Sequence, residues 1–297
     1  VDSITHAFAI ALLLIATGNA LFVPFAVVGA VLPDIDFIFL FASDGDPSLY
    51  IFTHGGFTHS LLGATLLSII AFFALRFLAE IGSFHEKLPS KVTPAVFLFI
   101  LAGAFLHLFL DYLAYPGIPM LYPITEQKYT LGILPGPSLV LLVLSTIFLV
   151  LLIRRKITIA RIGTYAGIFI ILLIFSAGTK GYVELNTQGT TVPTLNPFSW
   201  LVINENETAY SVQNYDIFRG VTNVAIYDKY TNITPSEVEK CETVPGVQRL
   251  KYYSYITTVE KNDTAVIFHD PLREQRIIFY PRYHTNFTVH LQETHNP

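Results

Sequence analysis

For about 180 residues the chain alternates long apolar runs with short polar joints, and then the pattern changes. Residues 4–16 and 20–33 are apolar runs separated by the turn signal Gly18-Asn19. Both are short for a bilayer core, which takes about 20 apolar residues. They are predicted to pair as a helical hairpin whose second arm ends at Pro33-Asp34. Residues 43–56 are polar and glycine-rich and read as loop. Residues 60–82 predict a long apolar helix, 83–92 a polar connection, and 94–115 a further helix closed by Pro116-Gly117. A loop from Tyr122-Pro123 to Pro135-Gly136-Pro137 leads to two more apolar runs, 138–153 and 162–178. From 181 onward, β-branched and aromatic residues mix with polar ones in Val221–Tyr230, Leu250–Val259, Ala265–Phe268, Arg276–Tyr280 and Phe287–Leu291. Asn, Asp, Pro and Gly separate these runs, so they read as strands. The predicted fold is an α-helical polytopic membrane bundle of about six apolar helices (1–180), followed by a mostly-β extracytoplasmic domain (181–297).

Composition sharpens this picture. Of 297 residues, 52% are hydrophobic and only 13% charged, half the charge of an ordinary soluble chain at about 25%. Four Lys/Arg precede Arg154 (Arg76, Lys87, Lys91, Lys128), while nine follow Gly181. The joint from Arg154 to Arg161 carries four more and is assigned to the cytoplasm by the positive-inside rule. Counting back through alternating spans also puts 83–92, with Lys87 and Lys91, inside. The 43–59 loop, the end of the 94–115 helix and the tail then lie outside. Four N-x-S/T triplets in the tail, at Asn206, Asn232, Asn262 and Asn286, fit that side. The expected location is the cytoplasmic membrane, with the lipid bilayer as partner. Asp2 stands where a signal peptide would be basic, and Val1 reads as a non-AUG start translated literally. A net charge of −4 gives no basic surface for nucleic acid. The single Cys241 excludes a cysteine-rich zinc site and an intrachain disulfide.

With that topology, the ionisable residues of the apolar half fall at one depth. His6 opens the first helix, Asp34 and Asp36 end the second, and His54 and His59 flank a glycine pair at the mouth of the third. His107 and Asp111, four apart, share one face of the fourth. His85 falls on the other side. A His or Asp at a helix end is ordinary at an interface, but His107 sits inside Leu-His-Leu-Phe-Leu-Asp, where ionisable groups are costly and point to function. Imidazole and carboxylate without thiolate suit zinc, with manganese or iron as alternatives. Seven donors exceed one tetrahedral ion, so one or two ions are expected, an aspartate bridging them in the second case. A two-ion site generates a hydroxide nucleophile and clamps attacking and leaving oxygens, which is hydrolytic chemistry, most often on phosphoesters. Asp34 or Asp36 is the candidate general base. Thr58 and Ser60 are candidates for binding substrate, orienting ligands or capping the third helix. Glu126 and Lys128 read as solvated loop, and the tail histidines His269, His284, His290 and His295 as surface residues.

Thr5-His6, Leu32-Pro33-Asp34-Ile35-Asp36, His54-x4-His59 within Thr58-His59-Ser60, and His107-x3-Asp111 followed by Gly117 and Leu121-Tyr122-Pro123 resemble the membrane-bound metal-dependent hydrolases of the YdjM type. These motifs cover residues 1–135. Pro193-Thr194-Leu195-Asn196-Pro197 with Trp200 is similar to a tail segment of some members. More distantly, the His/Asp set is similar to that of zinc-dependent phospholipases C and single-strand nucleases. The resemblance implies the seven residues as metal ligands and a hydrolase acting on a phosphoester or lipid-linked substrate at the outer interface. The chain departs from the family at Gly55, where arginine commonly follows the first histidine, so anion binding there would rest on the metals and other residues. Two rivals stand beside this reading: a non-catalytic metal-binding scaffold, and a surface-binding protein anchored by the bundle. A transporter would place its ligands at mid-membrane with access from both sides.

Overall fold

The structure is a computed structural model that describes residues 1–81, 92–280 and 284–291. His85, Lys87 and Lys91 of the predicted inner connection, and His295, lie outside the described residues. The chain divides into two compact units, one of residues 1–41 and 51–177, the other of 42–50 and 178–297.

The first unit is helical. Helix α1 (Ser3–Ala16) starts where Asp2 accepts a hydrogen bond from the Thr5 N–H at 2.9 Å, satisfying one of the donors that every helix start leaves over. Helix α2 (Val23–Val31) passes into a 3-10 segment, Leu32–Phe39, and a short helix α3 (Leu40–Gly45). Proline in the first turn of the 3-10 segment needs no donor, so Pro33 does not end the helical path as its sequence position suggests. The apolar stretch therefore runs Ala20–Gly45, and Asp34 and Asp36 lie within it rather than at its end. Helix α4 (Leu61–Glu80) is capped by Ser60, whose Oγ accepts from the Gly63 N–H at 2.9 Å. Helices α5 (Pro94–Leu113), α6 (Leu139–Ile153) and α7 (Ile159–Asn186) complete the set. Among the described residues four helical stretches are long and apolar enough to cross a membrane: Ala20–Gly45, Leu61–Glu80, Pro94–Leu113 and Ala160–Asn186. Ser3–Ala16 and Leu139–Ile153 are apolar but shorter.

Helices α2 and α5 pack almost backbone to backbone. A Cβ on Gly29 would lie 1.8 Å from the Ile100 carbonyl oxygen, and one on Gly103 2.0 Å from that of Ala26. Small residues at such crossings replace the hydrophobic drive that lipid cannot supply. Beside this seam, Phe8 of α1 is fully buried and packs edge-on against Phe148 of α6 and Phe169 of α7.

The second unit holds two four-stranded sheets. Strands β1 (Thr190–Pro193), β2 (Ser199–Glu205), β3 (Ala209–Asp216) and β4 (Gly220–Asp228) form an antiparallel meander in sequence order. Strands β5 (Tyr230–Thr231), β6 (Thr258–Lys261), β7 (Ala265–His269) and β8 (Asn286–His290) form the other sheet, with β5 parallel to β6. Three short helices interrupt the strands: α8 (Pro235–Cys241), α9 (Pro245–Tyr253) and α10 (Pro271–Glu274). Each begins with proline in its first turn, and α8 carries a Thr234/Glu237 capping box. The predicted strand Leu250–Val259 is thus helix at its start, becoming strand only from Thr258, and Arg276–Tyr280 is irregular. Residues 42–50, between Asp36 and His54 in sequence, belong to this unit. The Arg249 guanidinium donates to the Ser43 carbonyl, the Tyr253 hydroxyl to that of Tyr50 at 3.3 Å, and His284 Nε2 lies 3.1 Å from Asp44.

Candidate metal centre

The first unit brings all seven residues singled out in the sequence into one cluster, in three overlapping groups: His6, His107 and Asp111; Asp34, His59 and His107; Asp36, His54 and His59. The seam described above places two of these elements. In a 3-10 turn the Ala30 carbonyl would accept from the N–H of residue 33, but Pro33 has none. That carbonyl accepts instead from His107 Nδ1 at 2.7 Å. A carbonyl only accepts, so Nδ1 carries the proton and the lone pair of a neutral His107 is on Nε2.

Nε2 of His107 faces Nε2 of His59 at 3.1 Å and Oδ2 of Asp111 at 3.1 Å. His59 Nε2 lies 3.4 Å from Asp111 Oδ2. Oδ1 of Asp34 is 3.5 Å from His59 Nε2 and 3.6 Å from His107 Nε2. Donor atoms at about 2.0–2.1 Å from a tetrahedral zinc stand about 3.3 Å apart. Five of the six separations among these four atoms match that spacing.

Asp111 presents its other oxygen to a second direction. Oδ1 lies 3.3 Å from His6 Nε2 and accepts from the Val1 amino group. His6 stacks on His107 with ring centres 3.7 Å apart. Both are fully buried, yet among the described residues neither ring nitrogen of His6, nor Oδ1 of Asp34, has a hydrogen-bond partner. Buried polar atoms left unpaired are uncommon and call for an explanation. Converging imidazole and carboxylate donors fit a divalent cation.

His54 is the most open member, 25% exposed, with Nδ1 at 3.0 Å from Asp36 Oδ1 and 3.7 Å from Asp34 Oδ1. Gly55 beside it has φ +76°, and among the described residues nothing lies within 4 Å of the place a Cβ would take. Thr58 and Ser60 are buried. The Thr58 hydroxyl donates to Asp36 Oδ2, and Ser60 donates to the Phe57 carbonyl at 2.7 Å while capping α4. Both hydroxyls are taken up by protein partners. Three contributors escaped the sequence reading. Ser3 Oγ donates to Asp34 Oδ2, the Ala30 carbonyl fixes His107, and Ser145 Oγ donates to the Thr5 hydroxyl beside His6 at 3.1 Å. Ser3 had a signal, a hydroxyl at the start of an apolar helix; the other two contacts arise only from packing. Among the tail histidines, His269 lies 3.1 Å from Glu274 and His284 pairs with Asp44, both inside the second unit.

A membrane-embedded helical bundle with a buried His/Asp cluster able to hold a metal ion, joined to a β-sheet unit, is the class these features define. The sequence model of the YdjM inner membrane protein family matches residues 1–183. The chain belongs to that family. No match was found to a curated protein or to a solved structure.

Proposed function

We propose that this YdjM-family protein is a metal-dependent hydrolase of the inner membrane acting on a phosphoester or lipid-linked substrate. The observation that carries the reading is the convergence of His59 Nε2, His107 Nε2, Asp34 Oδ1 and Asp111 Oδ2, with five of their separations at 3.1–3.6 Å, and with Asp34 Oδ1 and His6 nearby making no hydrogen bond among the described residues. His59, His107, Asp34 and Asp111 would hold one ion, zinc by their chemistry, and His6 with Asp111 would contribute to holding a second. A divalent ion bound there supplies a nucleophile at neutral pH by lowering the pKa of a water, and steadies charge on the leaving oxygen.

The chain's own residues do the rest. Asp34, partly exposed, directs Oδ1 at the cluster and keeps Oδ2 on the Ser3 hydroxyl as an acceptor for the proton of the attacking water. His54 forms the open side, where the substrate enters. Ile35, Phe37, Ile38, Phe39 and Phe41, on the same stretch as Asp34 and Asp36, are exposed. In a bilayer they meet acyl chains, which suits an amphiphile whose head reaches the aspartates laterally. In this reading the chain crosses the membrane about six times, and the cluster and the C-terminal unit face outward.

An ion held by all four atoms would favour one rival, a structural metal, since structural zinc sites close all four positions with protein atoms. One experiment separates them. The detergent-purified protein, loaded with zinc or manganese, is assayed on phosphoesters, phospholipids and amides, with metal content measured alongside. The proposal expects bound metal, turnover of a phosphoester, and loss of both in His107→Ala. Metal without turnover on any substrate favours the scaffold. Protein holding no transition metal, with His107→Ala unchanged in stability, sinks both.

A further inference from the structure

We infer that Asp36 is a positioning residue of the metal centre: it fixes the tautomers of His59 and His54 and stands outside the ligand set. The inference rests on the metal-binding reading above and concerns which of the two carboxylates in Asp34-Ile35-Asp36 touches the ion.

Asp36 is fully buried, and both of its oxygens are engaged by side chains. Oδ2 accepts from the Thr58 hydroxyl and lies 3.1 Å from His59 Nδ1. Oδ1 lies 3.0 Å from His54 Nδ1. A carboxylate only accepts, so each of these imidazole nitrogens donates. The Thr58 contact gives the same answer for His59 independently. Its hydroxyl proton goes to Asp36, so toward His59 Nδ1, 3.0 Å away, the oxygen is an acceptor. Nδ1 of His59 therefore bears the hydrogen, and its lone pair is on Nε2, the atom already facing His107, Asp34 and Asp111.

A neutral imidazole offers one lone pair. His59 cannot give Nε2 to the four-atom set and Nδ1 to an ion shared with Asp36 and His54 in the same state. The hydrogen bonds favour the first arrangement. Asp36 then plays the part carboxylates commonly take behind metal-bound histidines, holding the ring in orientation and raising its basicity. One buried carboxylate serves two histidines, because the 3-10 segment carrying Asp36 lies against the Phe57–His59 turn, with Thr58 closing the pocket.

Zinc binding to the full-length protein in detergent, by chelator competition and metal counting, tests this, together with the absorption spectrum of the cobalt-substituted form. Asp36→Asn is expected to bind as many zinc equivalents as the wild type with about 10- to 100-fold weaker affinity, the effect of losing such a partner. Its cobalt spectrum should keep the intensity of a four-coordinate nitrogen–oxygen site, and Asp36→Glu should restore part of the affinity. Loss of one whole equivalent, with the remainder at wild-type affinity, makes Asp36 a ligand and overturns the inference. Unchanged stoichiometry and affinity also overturn it, reducing Asp36 to packing. Should Asp36→Asn not fold, Thr58→Val removes one donor to Asp36 and no candidate ligand. A several-fold loss of affinity supports the inference, and none refutes it. Wild-type protein that binds no zinc defeats the metal reading itself, an outcome distinct from a metal-binding wild type with an indifferent variant.

Discussion

His107 gets its orientation from the Ala30 carbonyl, to which Pro33 has no N–H to donate, and Asp34 and Asp36, two positions apart, meet opposite nitrogens of the same ring, Nε2 and Nδ1 of His59. At this scale the sequence was legible in which residues come together: all seven candidates meet in the structure. It did not show how they divide the work, since roles depend on which nitrogen or oxygen each turns inward. Gly55 is the position where that matters most for substrate. With φ +76° and, among the described residues, nothing within 4 Å of the place a Cβ would take, an arginine there starts into open space but sits in the left-handed region. That conformation costs an L-residue about 1–2 kcal/mol. Gly55→Arg is therefore expected to lower stability by about that amount while tightening binding of inorganic phosphate several-fold, through a bidentate contact beside His54. Isothermal titration at two salt concentrations checks it. Unchanged phosphate affinity would show that this corner does not face an anionic substrate.

The elements followed the apolar pattern closely where the runs were long. Helices predicted at 60–82 and 94–115 are found at Leu61–Glu80 and Pro94–Leu113. The pattern misled where local chemistry competed with it. Pro33-Asp34 looked like a helix end, yet proline at the start of a new helical turn is compatible with continuation. Leu250–Tyr253 looked like strand because Leu and Tyr serve both structures, and the proline at the start of α9 settled the outcome. The α2–α5 seam could not be read at all, because glycines within apolar runs give no partner. It also sets the cluster, for Ala30, next to Gly29 on α2, accepts from His107, one turn after Gly103 on α5. Gly103→Leu must push the Ala26 carbonyl away, since even a Cβ would lie at 2.0 Å. Overpacking of this kind costs about 1–3 kcal/mol. Because the shift moves Ala30 relative to His107, the variant should lose zinc affinity by more than about tenfold, the scale of losing an outer partner of a metal-bound histidine. Gly167→Leu, at an open position on α7, should retain it. Metal titration of both detergent-purified variants decides the point. Equal affinities would mean that the seam does not hold the site.

For the whole molecule the composition marked two units, an apolar half and a more charged tail, because a bilayer and water select different surfaces. It did not show that residues 42–50, between two of the candidate ligands in sequence, fold with the tail. Nine polar and apolar residues in a loop carry no label for their packing partner. Orientation is the property on which the proposed substrate depends, since a cluster facing outward meets different lipids from one facing the cytoplasm. The basic joint Arg154-Arg155-Lys156 argues for an inner position there and hence an outer C-terminal unit. The chain has one cysteine, partly buried at 241, which makes the test clean. In a Cys241→Ser background, Asp263→Cys on the exposed turn between β6 and β7, and separately Arg155→Cys on the exposed joint after α6, give single reporters on the two sides. A membrane-impermeant maleimide applied to intact spheroplasts should label the first and spare the second until the membrane is permeabilised. The reverse pattern would invert the bundle, putting the His/Asp cluster on the cytoplasmic face and replacing an external lipid-linked substrate with an internal one.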